Sequence, residues 1–517
     1  MKTGSPRGRA ATAAEGRGRA LRAGRVGTTG LLLSVAAASA PMMVVAGVMP
    51  TTYAVLGTVG QPLLFVLLGL VLMLFSFGYA EMGRHVQNAG AFYAYIARGL
   101  GGTVGAAAAV LALVAYSTLQ VGIYGLFGFE VAGLVDEHLG VRVGWWVPAL
   151  AGVALVGTLG WLRVDLNVRL LGVLLVVEVA LVVTFVVVGV GDPGVDGLSP
   201  AAFEPDTLAG AGLGTALCFC LASFTGFEQA PVYAEETTRP QAVVARAMFL
   251  AVGLATLLFA LGSWALGVAA GPSRVVELAE AQGPNMLFAL TEDRLGGTFT
   301  NVMHVFYVTG MFAAMLSFHN VVARYAFAMG REGLLPSVFG RTGKFSGAPT
   351  YGSALQTSFS VAVVASFTLG DETGFGDPTV PVLRLFTWCG NVGALGVMVL
   401  MATTSVAVVA FFVRRGAARP QLARIACSGI AAGVLIAIIC YAVKDFDVLL
   451  GAEPDSAPRW VLPGVVGATI VIGIGYGWLL RIARPAVHAE IGRGNHAFQL
   501  EKVATAPGKA NKPSTAA

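Results

Sequence analysis

The sequence predicts an all-α integral membrane protein of about twelve transmembrane helices, and three observations carry that prediction. Of 517 residues, 56% are hydrophobic and only 12% charged, about half the charge of a soluble domain. Mean hydropathy is +0.76. Apolar runs near twenty residues long recur along the chain, the length a helix needs to cross a bilayer. Membrane strands would instead alternate apolar and polar positions over about ten residues. Lipid leaves backbone groups no outside partner, so such runs fold as helices. The 68 glycines suit close helix–helix approach.

The predicted spans cover 31–57, 62–80, 104–128, 146–162, 168–190, 209–234, 247–270, 298–322, 352–369, 383–412, 424–442 and 460–480. The first resembles a signal peptide up to Ala38-Ser39-Ala40, but its apolar run continues through Met42, Val44 and Val45 toward Leu56. A signal-peptide core ends near its cleavage site, so a retained helix is expected. Residues 1–28 are rich in Arg, Gly and Ala, and 485–517 are polar with Ala and Pro; both are expected to be disordered tails.

Orientation follows from Lys and Arg. With a cytoplasmic N-terminus, the inner segments hold 27 of the 33 basic residues, and the outside keeps Arg142, Arg274, Arg294, Arg384, Lys444 and Arg459. Both termini are therefore expected in the cytoplasm, and the net charge of +5 reflects inner flanks beside anionic lipid. No basic patch coincides with a nucleic-acid-binding motif. The five cysteines all lie in apolar runs; Cys218 and Cys220, two apart, face different sides of a helix and read as small buried hydrophobes.

Two spans are interrupted. The first contains Ala38-Ser39-Ala40-Pro41-Met42, where Pro41 lacks a backbone donor. The sixth contains Ser223-Phe224-Thr225-Gly226-Phe227-Glu228, with a helix-weakening Gly beside a carboxylate. Five spans separate the breaks, so a repeated five-helix unit enters the membrane from opposite sides and forms an inverted repeat. Half-helix N-termini at the breaks offer N–H groups to an anion, and carbonyls offer oxygens to a cation.

The chain resembles the amino acid–polyamine–organocation permease superfamily. The segments that carry the likeness are Tyr79-Ala80-Glu81-Met82, Gly90-Ala91-Phe92-Tyr93-Ala94-Tyr95, the sixth-span break, Tyr233-Ala234-Glu235-Glu236 with Arg239-Pro240, and Arg324 through Gly333. The resemblance implies a five-plus-five inverted repeat over 29–415 with two extra helices over 416–484. It also implies uptake of amino acids or amines, often proton-coupled. Where the family commonly has Gly-x-Gly in the first broken helix, this chain has Ser39-Ala40-Pro41. That departure removes flexible N–H donors for a substrate carboxylate.

The candidate substrate-binding residues are Ala38, Ser39, Ala40, Pro41, Met42, Tyr116, Gln120 and Ser223 through Phe227, which includes Phe224, Thr225 and Gly226. Tyr116, Gln120 and Tyr124 share one face of the third helix, for substrate contact or interhelical bonding. Glu228 and Glu178 are the proton-coupling candidates, since a carboxylate at this depth costs roughly 2.5–3.5 kcal/mol to insert. Glu228 either carries a proton, binds an ammonium group or caps the second half-helix; Glu178 is a relay or a protonated, hydrogen-bonded group.

His304 and His319, fifteen apart on the eighth helix, cannot share a metal, and Ser317 offers a hydroxyl to a cation. Trp388 and Asn391 are placed to close the cavity from outside. There is no G-x-x-x-x-G-K-[ST] for a nucleotide-driven pump and no H-E-x-x-H for a protease. Charged rings or filter loops of a channel are not visible. The expected function is a secondary transporter, not an enzyme, importing an amino acid, with polyamine or monoamine uptake as the alternative. No cofactor or metal is expected, and the coupling ion expected is the proton, ahead of sodium.

Overall fold

Every regular element is a helix in the computed structural model, which describes residues 27–493 except 87, 163, 210–211, 238, 344–345, 417–418 and 452–455. The helices at the predicted spans are α1 (Thr28–Leu56), α2 (Gln61–His85), α3 (Gly102–Leu139), α4 (Trp146–Gly160), α5 (Val164–Gly191) and α6 (Leu213–Ser223). They continue with α7 (Pro240–Ala270), α8 (Gly297–Glu332), α9 (Thr350–Leu369), α10 (Thr379–Arg414), α11 (Arg419–Lys444) and α12 (Pro458–Ala483). Ten are long and apolar enough to cross a membrane. The other two are α4, which is short, and α6, which a 3₁₀ segment, Phe227–Glu236, continues beyond its break. Each predicted span has its helix.

Among the helices that overrun their predicted ends, α3 and α8 do so furthest. α3 continues through Asp136 and Glu137 until Gly140 stops it at φ 64°, and α8 runs on to Gly333 at φ 82°. Apolar composition ends at the lipid boundary, whereas helical hydrogen bonding ends only where a left-handed cap breaks it.

Burial separates an inner set from an outer one. The most apolar windows of α8, α3, α1 and α10 are 78%, 72%, 67% and 67% buried, against 28% for both α9 and α12. On α5, Val173, Val176, Val183 and Val187 all face outward, while Glu178 is buried. An apolar outer face with a buried carboxylate suits lipid outside and a polar interior. α12 lies against α3 through Gly473 and Gly477, where a Cβ would stand 2.5 Å from Ala107 Cα and 2.8 Å from Thr103 O. Two small residues four apart let the backbones touch, which is how helices gain packing energy without a hydrophobic drive.

The expected disordered tail at 485–517 begins later than the composition suggests. Residues 485–493 are ordered: Pro485–Glu490 is helical, Ile491 is buried, and Gly492 N–H donates to Glu332 Oε2 at 2.9 Å. His488 Nε2 also lies 3.1 Å from the Thr103 hydroxyl. Val487 and Ile491 supply the apolar surface that docks this strap against the start of α3 and the ends of α8 and α12. The rest of the expected tails, 1–26 and 494–517, lies outside the described residues. In the loop between α5 and α6, Asp196 accepts from the Ser273 hydroxyl at 2.6 Å and amide at 2.8 Å. These bonds hold its carboxyl below the usual range.

Candidate functional site

α1 is interrupted where the sequence leaves the helix no choice. Its first half ends at Ala38, and both the amide and the hydroxyl of Ser39 turn back to Ala36 O, at 3.2 and 2.7 Å. Proline disfavours helical geometry in the residue before it. Ala40 accordingly takes φ 41°, ψ 72°, a left-handed conformation that costs a non-glycine residue roughly 1–2 kcal/mol. Pro41–Met43 restarts the helix, which runs through a π turn at Val44–Val48 into Met49–Leu56. Met42 N–H, at the start of this second half, points to Glu178 Oε2 on α5 at 3.4 Å.

α6 breaks in a matching way. Phe224 and Thr225 close the first half with turns to Leu221 O and Ala222 O. Gly226 then adopts φ 138°, ψ −42° and a 3₁₀ segment begins at Phe227. Glu228 reaches back over the break, its Oε2 accepting the Gly226 amide at 2.7 Å and its Oε1 the Tyr116 hydroxyl at 2.8 Å. The Tyr79 hydroxyl donates to Glu228 O at 3.1 Å.

The two breaks touch. A Cβ on Gly226 would sit 2.8 Å from both Ala38 Cβ and Val35 O, and 3.2 Å from Ser39 N. Ser317 on α8 bridges the same elements, its hydroxyl 3.3 Å from Ser34 O and 3.3 Å from Gln229 Oε1. The structure thus gathers Ala38, Ser39, Ala40, Pro41, Met42, Ser223, Thr225, Gly226, Tyr116 and both carboxylates in one buried region. Phe224 turns instead to Phe65 and Phe259, and Phe227 to Phe75, as packing for the break.

Gln120 lies in a neighbouring polar network. It donates to the Tyr124 hydroxyl at 2.9 Å and accepts from Gln356 Nε2 at 2.7 Å, and Gln356 Oε1 accepts from Ser117 at 2.7 Å. His319 joins this network through Gln120 and the Ser353 hydroxyl, 2.7 Å from its Nε2. Trp388 and Asn391 do not close the site. Trp388 packs on Phe367, and Asn391 donates to Leu449 O, because their helix face turns toward α9 and the α11–α12 link. His304 stacks on Phe288 at 3.7 Å.

The segments that carry the family resemblance, to which the sequence assigned no role in the site, lie between the breaks and the end of the bundle where α1 begins. Tyr79, Phe92 and Tyr95 pack together there, and Tyr325 stacks on Tyr116 at 5.7 Å. Beyond them Arg324 grips Glu236 with bonds of 2.8 and 3.1 Å while lying 4.4 Å over the Tyr233 ring. Arg331 pairs with Glu235, and Glu332 takes Asn88 Nδ2 at 2.5 Å. Arg324 and Glu236 are 3% and 2% exposed, so this ionic clasp is buried within its end of the bundle. Charge pairing across 88 residues leaves no local periodicity to read. All five cysteines are free, and no cluster of three or more metal-ligating side chains occurs among the described residues.

The comparisons with known proteins agree with this geometry. The family model described as amino acid permease matches residues 31–458, which takes in both breaks and the clasp. The chain is also similar to a methylthioribose transporter of Bacillus subtilis (strain 168), 25% identical over 320 residues, covering 58% of this chain and 65% of that protein. The match thus spans just under two thirds of that relative's length. Ten helices long and apolar enough to cross a membrane among the described residues, breaks in the first and sixth predicted spans, and a family match over residues 31–458 make one case: the chain belongs to the amino acid permease family and is a multi-pass membrane protein.

Proposed function

We propose that this transporter imports an amine-bearing solute, an amino acid or an amine, across the cytoplasmic membrane by alternating access coupled to protons, with both termini inside. The observation that carries the reading is Glu228, a buried carboxylate that spans the sixth-helix break and binds Tyr116 of the inner helix α3. A titratable group bonded to the backbone at the break links protonation to the geometry of that break. α1 and α6 supply the moving contacts, and the Arg324–Glu236 clasp is a gate that must open for release inward.

The amino acid reading follows the family; the relative named for methylthioribose brings a neutral thioether sugar into consideration. No Lys or Arg lies at the breaks, and the clasp arginines are already paired. Coupling by proton is favoured over sodium because Ser317 is one hydroxyl already engaged with Ser34 O and Gln229. The test is Glu228→Gln, which keeps size and hydrogen bonding but cannot titrate. In proteoliposomes it should retain substrate exchange and lose pH-driven accumulation. If it still concentrates solute against a gradient when driven by pH alone, Glu228 is not the coupling group.

A further inference from the structure

Positive charge gathers with little counter-charge where the strap meets the bundle. The helix Ala91–Leu100, between α2 and α3, carries Arg98 in its last turn. α10 lies against it: a Cβ on Gly99 would stand 2.7 Å from Ala407 Cα, and Arg414 Nη1 donates to Gly99 O at 2.9 Å. The strap crosses the same helix, since a Cβ on Gly492 would sit 2.8 Å from both Ala94 O and Ala97 Cβ. Three segments far apart in sequence thus bring Arg98, Arg414, Arg415 and Arg493 to one place. Among the described residues no carboxylate pairs with Arg98, Arg414 or Arg415, and Arg493 is paired with Glu490 at 4.0 Å. Glu332, which holds the Gly492 amide, is buried and engaged with Asn88. Burial, together with the guanidiniums of Arg415 and Arg493, holds Arg98 below the usual arginine range.

We infer that this cluster binds the phosphate headgroup of an anionic phospholipid, whose acyl chains lie along the exposed faces of α10 and α12. Guanidinium suits phosphate because its planar fork donates two N–H bonds to one anion and is weakly hydrated. Like charges this close repel one another, and an anion placed among them turns that repulsion into attraction. The neighbouring surface decides which anion. Val413 on α10 and Trp478 and Ile482 on α12 are exposed, and Gly477 against Thr103 O fixes α12 at this level. A phospholipid brings the apolar tail that this surface takes, and a free phosphate ion does not. An exposed tryptophan near the end of a span also marks the headgroup level. The proposed orientation places the cluster at the inner leaflet, where anionic lipids meet basic flanks; the inference rests on that orientation for the leaflet alone. Because Arg493 belongs to the strap, a bound headgroup ties residues 485–493 to the helix Ala91–Leu100 and to α10.

The test titrates the purified full-length protein in detergent with short-chain phosphatidylglycerol, phosphatidylcholine or inorganic phosphate, and counts bound lipid by native mass spectrometry. Phosphatidylglycerol should bind at a concentration tenfold or more below phosphatidylcholine, and inorganic phosphate should not displace it. Arg98→Gln combined with Arg415→Gln should erase that preference, whereas Arg98→Lys combined with Arg415→Lys keeps the charge and should retain it. Arg493→Gln, at an exposed strap residue, should weaken phosphatidylglycerol binding severalfold and gives an independent reading if the double Gln variant is unstable. Arg274→Gln, at the opposite end of the bundle, should bind as wild type does. Equal binding of the two lipids, displacement by inorganic phosphate, or wild-type phosphatidylglycerol binding by the Gln variants overturns the inference. A loss in Arg274→Gln as large as in the cluster variants also overturns it, because overall charge would then be the cause. Every arm is read without transport, so failure here leaves the transport reading standing. Labelling that inverted the orientation would move the site to the outer leaflet without removing it.

Discussion

Gly226 is where one methyl group tests the geometry of the site. Its φ of 138° is a conformation that costs an L-residue roughly 1–2 kcal/mol. The added Cβ would meet Ala38 Cβ and Val35 O at 2.8 Å, an overpacked contact of about 1–3 kcal/mol. Neither neighbour is the free end of a flexible side chain, so the relief available is separation of the two breaks. Together the two effects disfavour the closed break by about 2–5 kcal/mol, which is roughly 30-fold or more in the population of that state. Gly226→Ala should cut initial uptake by at least that factor, and Gly226→Leu should abolish it. Both variants should still insert in the membrane, since α1 and α6 keep their apolar faces. Uptake at the wild-type rate by Gly226→Ala, with normal expression, would mean that contact between the breaks is not part of the transport cycle.

Three further outcomes follow from the same structure. Glu236→Gln leaves the buried Arg324 guanidinium without its charge partner; the loss, roughly 3–5 kcal/mol, should lower the melting temperature in detergent, and an unchanged value would show that the clasp is not a stabilising contact. Leu198→Cys, in the exposed α5–α6 loop, should react with an impermeant maleimide in intact cells on a Cys440→Ser background, while Ser337→Cys stays protected; the reverse pattern would invert the proposed orientation. Gly477→Leu would drive a side chain into Thr103 O and should cost about 1–3 kcal/mol of stability by overpacking α12 against α3; a melting temperature equal to wild type would place that packing elsewhere.

Much of the fold was legible because lipid imposes one rule on every span. Apolar runs located a helix at each predicted span, and Pro41 and Gly226 located the breaks, since each changes what the backbone can do locally. Helix ends were read less well: the last turns of α3 and α8 are polar, so their extension depends on caps at Gly140 and Gly333 and not on composition. In the site, Glu228 and Tyr116 stood out as polar groups in apolar surroundings, and they meet at 2.8 Å. Gln120 stood out equally but spends its amide on Tyr124 and Gln356, a pairing with α9 that the stripe on α3 alone does not reveal. That Glu178 caps α1 was not legible, because Met42 lies 136 residues away. The strap at 485–493 was missed for the opposite reason: a short segment with two apolar residues needs little composition to dock.

The most direct test of the central claim is uptake into proteoliposomes holding the purified full-length protein, with proton and sodium gradients imposed separately. A labelled amine and its parent amino acid would be followed side by side. The account predicts accumulation above equilibrium when the interior is alkaline, none when sodium alone is supplied, and loss of that accumulation in Glu228→Gln. Accumulation driven by sodium, or equal accumulation by wild type and Glu228→Gln under a pH gradient, would contradict it.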